Sequence, residues 1–133
     1  MITAIALTDQ DKLTLRTAAW GAVSLISAAS AGNSAHKAAT EGSIALMSAT
    51  GAVGHVLAKA PKGVKWGKTV AELADLVLPA LTESVGLLKQ QAPDEADNFR
   101  RTILIAIEAA GQGNPNPTAT EMARKITEAI DAA

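Results

Sequence analysis

The sequence predicts an all-α protein, a single-domain bundle of about five helices that pack closely through alanine and glycine. Its 133 residues fit one domain, so we expect residues 1–133 to form one folded unit. Alanine, the strongest helix former, occurs 29 times, and apolar residues recur at helical spacing rather than in the alternation of a strand. With one Phe, two Trp and no Tyr, the core has to be built mainly from small aliphatic side chains, and its helices must approach closely.

The first predicted helix covers residues 9–30 and begins at a capping box, in which Thr8 and Asp11 can satisfy each other's backbone N–H groups. One stripe of this helix is apolar and consists of Leu15, Ala18, Ala19, Ala22, Ile26 and Ala29. Leu13 and Trp20 lie on nearly the opposite side. This helix therefore either lies between two layers of the protein or presents Trp20 to a partner.

The second predicted helix covers residues 35–59, with Ser34 as a candidate N-cap. A ridge of small residues follows the four-three-four-three spacing of a coiled-coil seam: Ala38, Gly42, Ala45, Ala49 and Ala52. Small side chains let two helix backbones approach closely, either inside the chain or between two chains. If the contact forms between two chains, the protein is a homo-oligomer, and we expect the ridge and Trp20 to be its self-association residues.

Three further helices are predicted over residues 70–90, 94–111 and 119–131. Thr69 with Glu72, and Thr118 with Glu121, have the spacing of capping boxes. Pro93 suits a first helical turn, where a proline loses no hydrogen bond. The unbroken apolar run 103–107 predicts that the helix over 94–111 lies at the centre of the bundle.

Ten residues between the second and third predicted helices carry a local excess of positive charge. Lys59, Lys62, Lys65 and Lys68 recur at every third residue, with Trp66 among them. Four ammonium groups beside a helix N-terminus predict a site for an acidic protein or an anionic ligand, in a chain whose net charge is −1. The alternative is a solvated loop in which Trp66 packs onto the core.

The sequence contains no arrangement that is typical of catalysis or of metal binding. The two histidines, His36 and His55, lack the Glu-x-x-His spacing of helical metal sites, and the chain has no cysteine. The segment Gly67-Lys68-Thr69 ends like a phosphate-binding loop, but Lys62 stands where that motif needs its first glycine. We therefore expect no catalytic residue, no metal and no cofactor.

The composition also allows predictions of the cellular compartment and of membrane insertion. The absence of cysteine fits a reducing compartment, the N-terminus has no basic leader, and a nearly neutral charge gives no strong nucleic-acid signal, so we expect a cytoplasmic protein. Residues 17–35 and 42–58 carry no Asp, Glu, Lys or Arg, which keeps a membrane-active helical hairpin as an alternative. Their many Ser, Thr and Gly residues argue against insertion.

These observations favour a non-enzymatic protein that acts through protein–protein interaction and self-association. A second hypothesis is a bundle that binds a small ligand in a pocket near His36, Met47 and Trp20. The membrane-active hairpin is the third.

Overall fold

The computed structural model describes residues 6–30, 34–111 and 116–133, and within these ranges it contains helices and no strand. The helices are α1 (Asp9–Ala29), α2 (Ser34–Met47), α3 (Gly51–Leu57), α4 (Val70–Gln91), α5 (Pro93–Gly111) and α6 (Pro117–Asp131). The prediction of an all-α bundle is confirmed. The number of helices in the described part of the chain is six rather than five.

Two helices form the centre of the bundle, because α1 and α5 each pack against all five others. Buried residues surround much of α1, among them Leu15, Ala18, Ala22 and Leu25. The interpretation of α1 as a helix between two layers is therefore correct, and so is the central position predicted for α5.

Glycine sets the closest helix contacts of the bundle. A Cβ atom added at Gly42 in α2 would lie 2.6 Å from Cγ1 of Val23 in α1, so close that one of the two groups would have to shift. A Cβ atom at Gly21 in α1 would overlap Val77 of α4 in the same way. Branched side chains thus occupy the hollows that the two glycines leave, as the alanine- and glycine-rich composition predicts.

The prediction of one helix over residues 35–59 is wrong, because the chain leaves the helical path between Met47 and Gly51. Gly51, the first residue of α3, has a φ of +77°, which is foreign to the interior of an α-helix and which glycine adopts without strain. Side chains of α5 hold the break: Asn98 Nδ2 donates to the Thr50 carbonyl at 2.8 Å, and Glu95 Oε1 accepts from the Val53 N–H at 2.9 Å.

The other end of α3 is held by α1. Arg16 Nε donates to the Val56 carbonyl at 2.8 Å, and Trp20 Nε1 donates to the Leu57 carbonyl at 3.2 Å. A carboxylate near the first turn and a guanidinium near the last turn both match the helix dipole. Seven residues are too few for a stable isolated helix, so α3 depends on these tertiary contacts.

Of the three predicted capping boxes, the first forms in full, the second forms in half and the third does not form. Thr8 and Asp11 form the full capping box of α1. At the start of α4, Thr69 accepts from the Glu72 N–H, but the Glu72 carboxylate accepts from the Lys68 N–H instead of that of Thr69. The predicted box at Thr118 is wrong, because Asn116 accepts from the Ala119 N–H and Pro117 is the first helical residue of α6. Proline with an asparagine before it makes an equally good helix start two residues earlier.

Candidate functional site

The segment between α3 and α4, residues 59–68, is called the lysine loop here, and it has two different sides. All four of its lysines, Lys59, Lys62, Lys65 and Lys68, are exposed. Val64 and Trp66 are half-buried, and Trp66 packs against the hydrophobic core. The loop therefore attaches to the bundle through its apolar residues and directs its positive charge to solvent.

Two glycines and one tryptophan fix this arrangement. Gly63 and Gly67 have φ values of +73° and +83°, so the chain can reverse direction around Trp66 without strain. The Trp66 ring lies against α1, where a Cβ atom on Gly21 would be 3.2 Å from Cζ3 of the indole. Beyond Gly67, the Lys68 N–H donates to Glu72 Oε2 at 2.9 Å and joins the loop to the first turn of α4.

The lysine loop carries four positive charges and no carboxylate within its own ten residues. In the described part of the chain, the ion pairs join Arg100 to Asp131 at 2.7 Å, and Arg124 to Glu121 and Glu128. The first pair joins α5 to α6 and the other two lie within α6, so none includes a lysine of the loop. A third of the chain's twelve basic residues are thus concentrated on one exposed segment.

The structure separates the residues predicted for self-association. Ala38 and Gly42 are buried, and Gly42 faces Val23 of α1 within the same chain. Ala45 and Ala49 are half-buried and line a cleft of about 280 Å³ between α2 and α5. The predicted continuous ridge does not form, because Ala52 belongs to α3, beyond the break.

Trp20, the other residue predicted for self-association, is half-buried. Its ring packs against the core, and its indole N–H donates to Leu57. These contacts give Trp20 a role within the chain, in the attachment of α3.

Three large apolar side chains are strongly exposed, and of these the sequence analysis singled out Met47 alone, as part of a ligand pocket. Ile44 and Met47 of α2 are 55% and 61% exposed, and Ile105 of α5 is 59% exposed. A signal for Ile44 was available, because two residues correspond to about 200° around a helix and place it opposite Gly42. Ile105 lines the same cleft as Ala45 and Ala49.

The structure does not bring His36, Met47 and Trp20, the residues predicted for a ligand pocket, together around one of its described clefts. His36, His55 and Met47 are all exposed. Neither His36, Met47 nor Trp20 lines any of the four clefts found among the described residues. Within the same residues, no three His, Cys, Asp or Glu side chains are grouped so that they could hold a metal ion.

Two charged groups on the surface of α6, Glu121 and Arg124, have shifted pKa values. The Arg124 guanidinium hydrogen-bonds to the Glu121 carboxylate and lowers its pKa. The same contact, together with Glu128, raises the pKa of Arg124. These groups are exposed on one helix at i, i+3 and i, i+4 spacing, which is typical of a surface pair rather than of a reactive centre.

Comparisons of the chain with protein-family models, with curated proteins and with solved structures find no match. Among the residues that the structure describes, no helix combines the length and the apolar character needed to cross a bilayer.

Proposed function

We propose that this protein is a non-enzymatic interaction protein of the cytoplasm that binds an acidic protein surface through the lysine loop. The observation that carries the proposal is the outward display of Lys59, Lys62, Lys65 and Lys68 on a segment with no carboxylate of its own. The lack of cysteine supports a reducing compartment.

The form of the loop favours an extended acidic surface over a small anion. Tight phosphate and carboxylate recognition commonly uses the planar fork of arginine, whereas the loop offers only the point charges of lysines. None of these lysines lines a described cleft that could enclose a ligand. Exposed charges of this kind mainly accelerate encounter and make binding sensitive to salt.

The loop is also prepared for binding, because Trp66 already holds it against the bundle. A segment that is ordered in advance loses less conformational entropy when a partner docks. The same indole provides a fluorescence signal close to the lysines.

The test compares two triple variants of equal net charge. K62Q/K65Q/K68Q removes three loop charges, and K12Q/K37Q/K125Q removes three lysine charges elsewhere. The probe is poly-L-glutamate, titrated at low salt with tryptophan emission as the signal. At about 0.5 kcal/mol for each exposed pair, we expect the loop variant to bind roughly tenfold more weakly than the wild type.

The control variant should bind within about twofold of the wild type. Equal weakening in the two variants would mean that net charge, and not the loop, attracts the anion. The absence of binding by the wild-type protein at low salt would refute the proposal.

Self-association is a second candidate function, favoured by the exposure of Ile44 and Met47 on α2. Their spacing of three residues places them on the same side of the helix. In sedimentation velocity, we expect the wild type to form a concentration-dependent dimer and the I44Q/M47Q variant to remain monomeric. A wild-type protein that stays monomeric at high concentration would exclude this candidate.

A further inference from the structure

The outer surface of α2 and α5 carries two large apolar side chains, one on each side of the cleft between these helices. Ile44 of α2 is 55% exposed, and Ile105 of α5 is 59% exposed and lines the cleft. From α2, the cleft is lined by Ala45 and Ser48, the first directly after Ile44 and the second one turn after it. The two isoleucines therefore lie on one surface of the bundle.

Two opposite charges on α5 flank Ile105. Arg101 lies four residues before it and Glu108 three residues after it, so all three are on the same side of the helix. Both charged side chains are exposed, and neither belongs to an ion pair within residues 6–30, 34–111 and 116–133. α5 thus presents a cation and an anion, about one turn on either side of an exposed apolar side chain.

The polar residues of α2 are placed around Ile44 in a similar way. Glu41 lies three residues before Ile44 and Ser48 four residues after it, and both are exposed. A carboxylate and a hydroxyl do not repel each other, because the hydroxyl can donate a hydrogen bond. The two sets of residues together are called the α2–α5 face: Glu41, Ile44, Ser48, Arg101, Ile105 and Glu108.

This face becomes complementary to itself when it is turned through 180°. A two-fold axis that crosses α5 beside Ile105 sets α5 antiparallel to α5 of a second copy. Arg101 of each copy then lies opposite Glu108 of the other, and the two Ile105 side chains meet at the axis. The same rotation places α2 opposite α2 of the second copy.

We propose that the α2–α5 face binds a second copy of this chain, in an antiparallel dimer with two symmetry-related ion pairs between Arg101 and Glu108. This inference rests on the self-association proposed above, and it adds the interface and the orientation of the copies. The occupant is a second copy because the charges of the face match themselves, which an unrelated partner does not require.

Apolar burial and charge have separate effects in this dimer. Covering Ile44 and Ile105 of both copies removes apolar surface from water and supplies the attraction. The charges select the orientation, because a parallel dimer would place Arg101 against Arg101 and Glu108 against Glu108.

The test is a charge exchange, measured by sedimentation velocity at low salt. R101E places two carboxylates opposite each other in each half of the dimer, and E108R does the same with two guanidinium groups. We expect each variant alone to dimerise at least tenfold more weakly than the wild type, since two attractive contacts become repulsive. An equimolar mixture restores both opposite pairs, so we expect it to form a heterodimer about as strongly as the wild type dimerises.

The matched controls are K125E and E83K, which make the same charge changes at exposed residues of α6 and α4, outside the face. Each should dimerise within about twofold of the wild type. Recovery in the mixture of R101E and E108R also checks folding, because two misfolded variants would not form a heterodimer. Single variants that dimerise like the wild type, or a mixture that stays monomeric, would overturn the antiparallel arrangement.

The I44Q/M47Q variant separates this inference from the self-association on which it rests. If that variant is monomeric while R101E and E108R dimerise like the wild type, self-association stands and the antiparallel arrangement fails. A wild-type protein that is monomeric at high concentration overturns both.

Discussion

The contact between Gly42 and Val23 predicts that the same substitution, glycine to alanine, has different effects on stability at two positions. Gly42→Ala places a methyl group 2.6 Å from Cγ1 and 3.0 Å from Cγ2 of Val23. Gly86→Ala adds the same methyl group to α4, where nothing lies within 4 Å of it. Both glycines are inside helices, so both substitutions gain the same helix propensity.

The magnitudes follow from these two environments. Replacing an interior helical glycine by alanine stabilises a helix by about 1 kcal/mol. Forcing one extra carbon into a closely packed contact costs about 1–3 kcal/mol. We therefore expect Gly86→Ala to raise the free energy of unfolding by about 1 kcal/mol. Gly42→Ala should leave it unchanged or lower it by up to about 2 kcal/mol.

Urea unfolding, followed by helical circular dichroism, measures both effects at one protein concentration. The difference between the two variants isolates the steric cost, because the propensity gain cancels. A third measurement identifies the neighbour: in a Val23→Ala background the nearest atom left on residue 23 is its Cβ, 3.3 Å from the added methyl group, so Gly42→Ala should destabilise less than in the wild type. If Gly42→Ala stabilises the wild type as much as Gly86→Ala does, α2 is not packed against Val23.

Three further predictions concern other parts of the bundle. Ser84→Ala should raise the free energy of unfolding by about 1 kcal/mol, because the fully buried Ser84 hydroxyl has no partner among the described residues; an unchanged urea midpoint would show that the hydroxyl is satisfied. Glu95→Ala should accelerate hydrogen exchange in α3 more than in α1, and uniform acceleration would contradict the local role of this side chain. Glu121 should titrate below its ordinary pKa in an NMR titration, so its pairing with Arg124 stabilises the fold above that range and is lost as the pH falls; the shift should disappear in Arg124→Ala and shrink at high salt, and a shift that persists in that variant would have another cause.

The fold could be predicted from sequence wherever a local signal decided the structure. Thr8 with Asp11 and Thr69 with its acid mark helix starts through contacts within four residues. The apolar face of α5, with Phe99 and Ile103 fully buried, follows from helical spacing alone. In each case the residues that form the pattern are close together in the chain, so their spacing is enough to predict the structure.

The break between α2 and α3 could not be predicted in this way, because the residues that stabilise it are distant in sequence. Gly51 permits the left-handed conformation, but a glycine also occurs inside α2 at residue 42 without breaking it. Glu95 and Asn98 make the difference, more than forty residues later in the chain. The Glu95 carboxylate accepts from the Val53 N–H, which would bond to the Ala49 carbonyl in a continuous helix. Asn98 adds a second donor to the Thr50 carbonyl, which also accepts from the Gly54 N–H.

The candidate site could be predicted only in part. The sequence shows which residues are charged, but it does not show which distant residue a given side chain packs against. The four lysines of the loop had to be solvated, since burying unpaired ammonium groups is costly. Whether Trp66 faced a partner or the core depended on the surface of α1, where the edge of its ring lies beside Gly21, next to Val77. The same reasoning applies to the ridge of α2. Spacing at Ala38 and Gly42 fits a contact with any helix, and it is the branched side chain of Val23 that makes the contact internal. A run of small residues therefore indicates that a helix approaches closely, but only the bulky residue opposite it determines which helix that is.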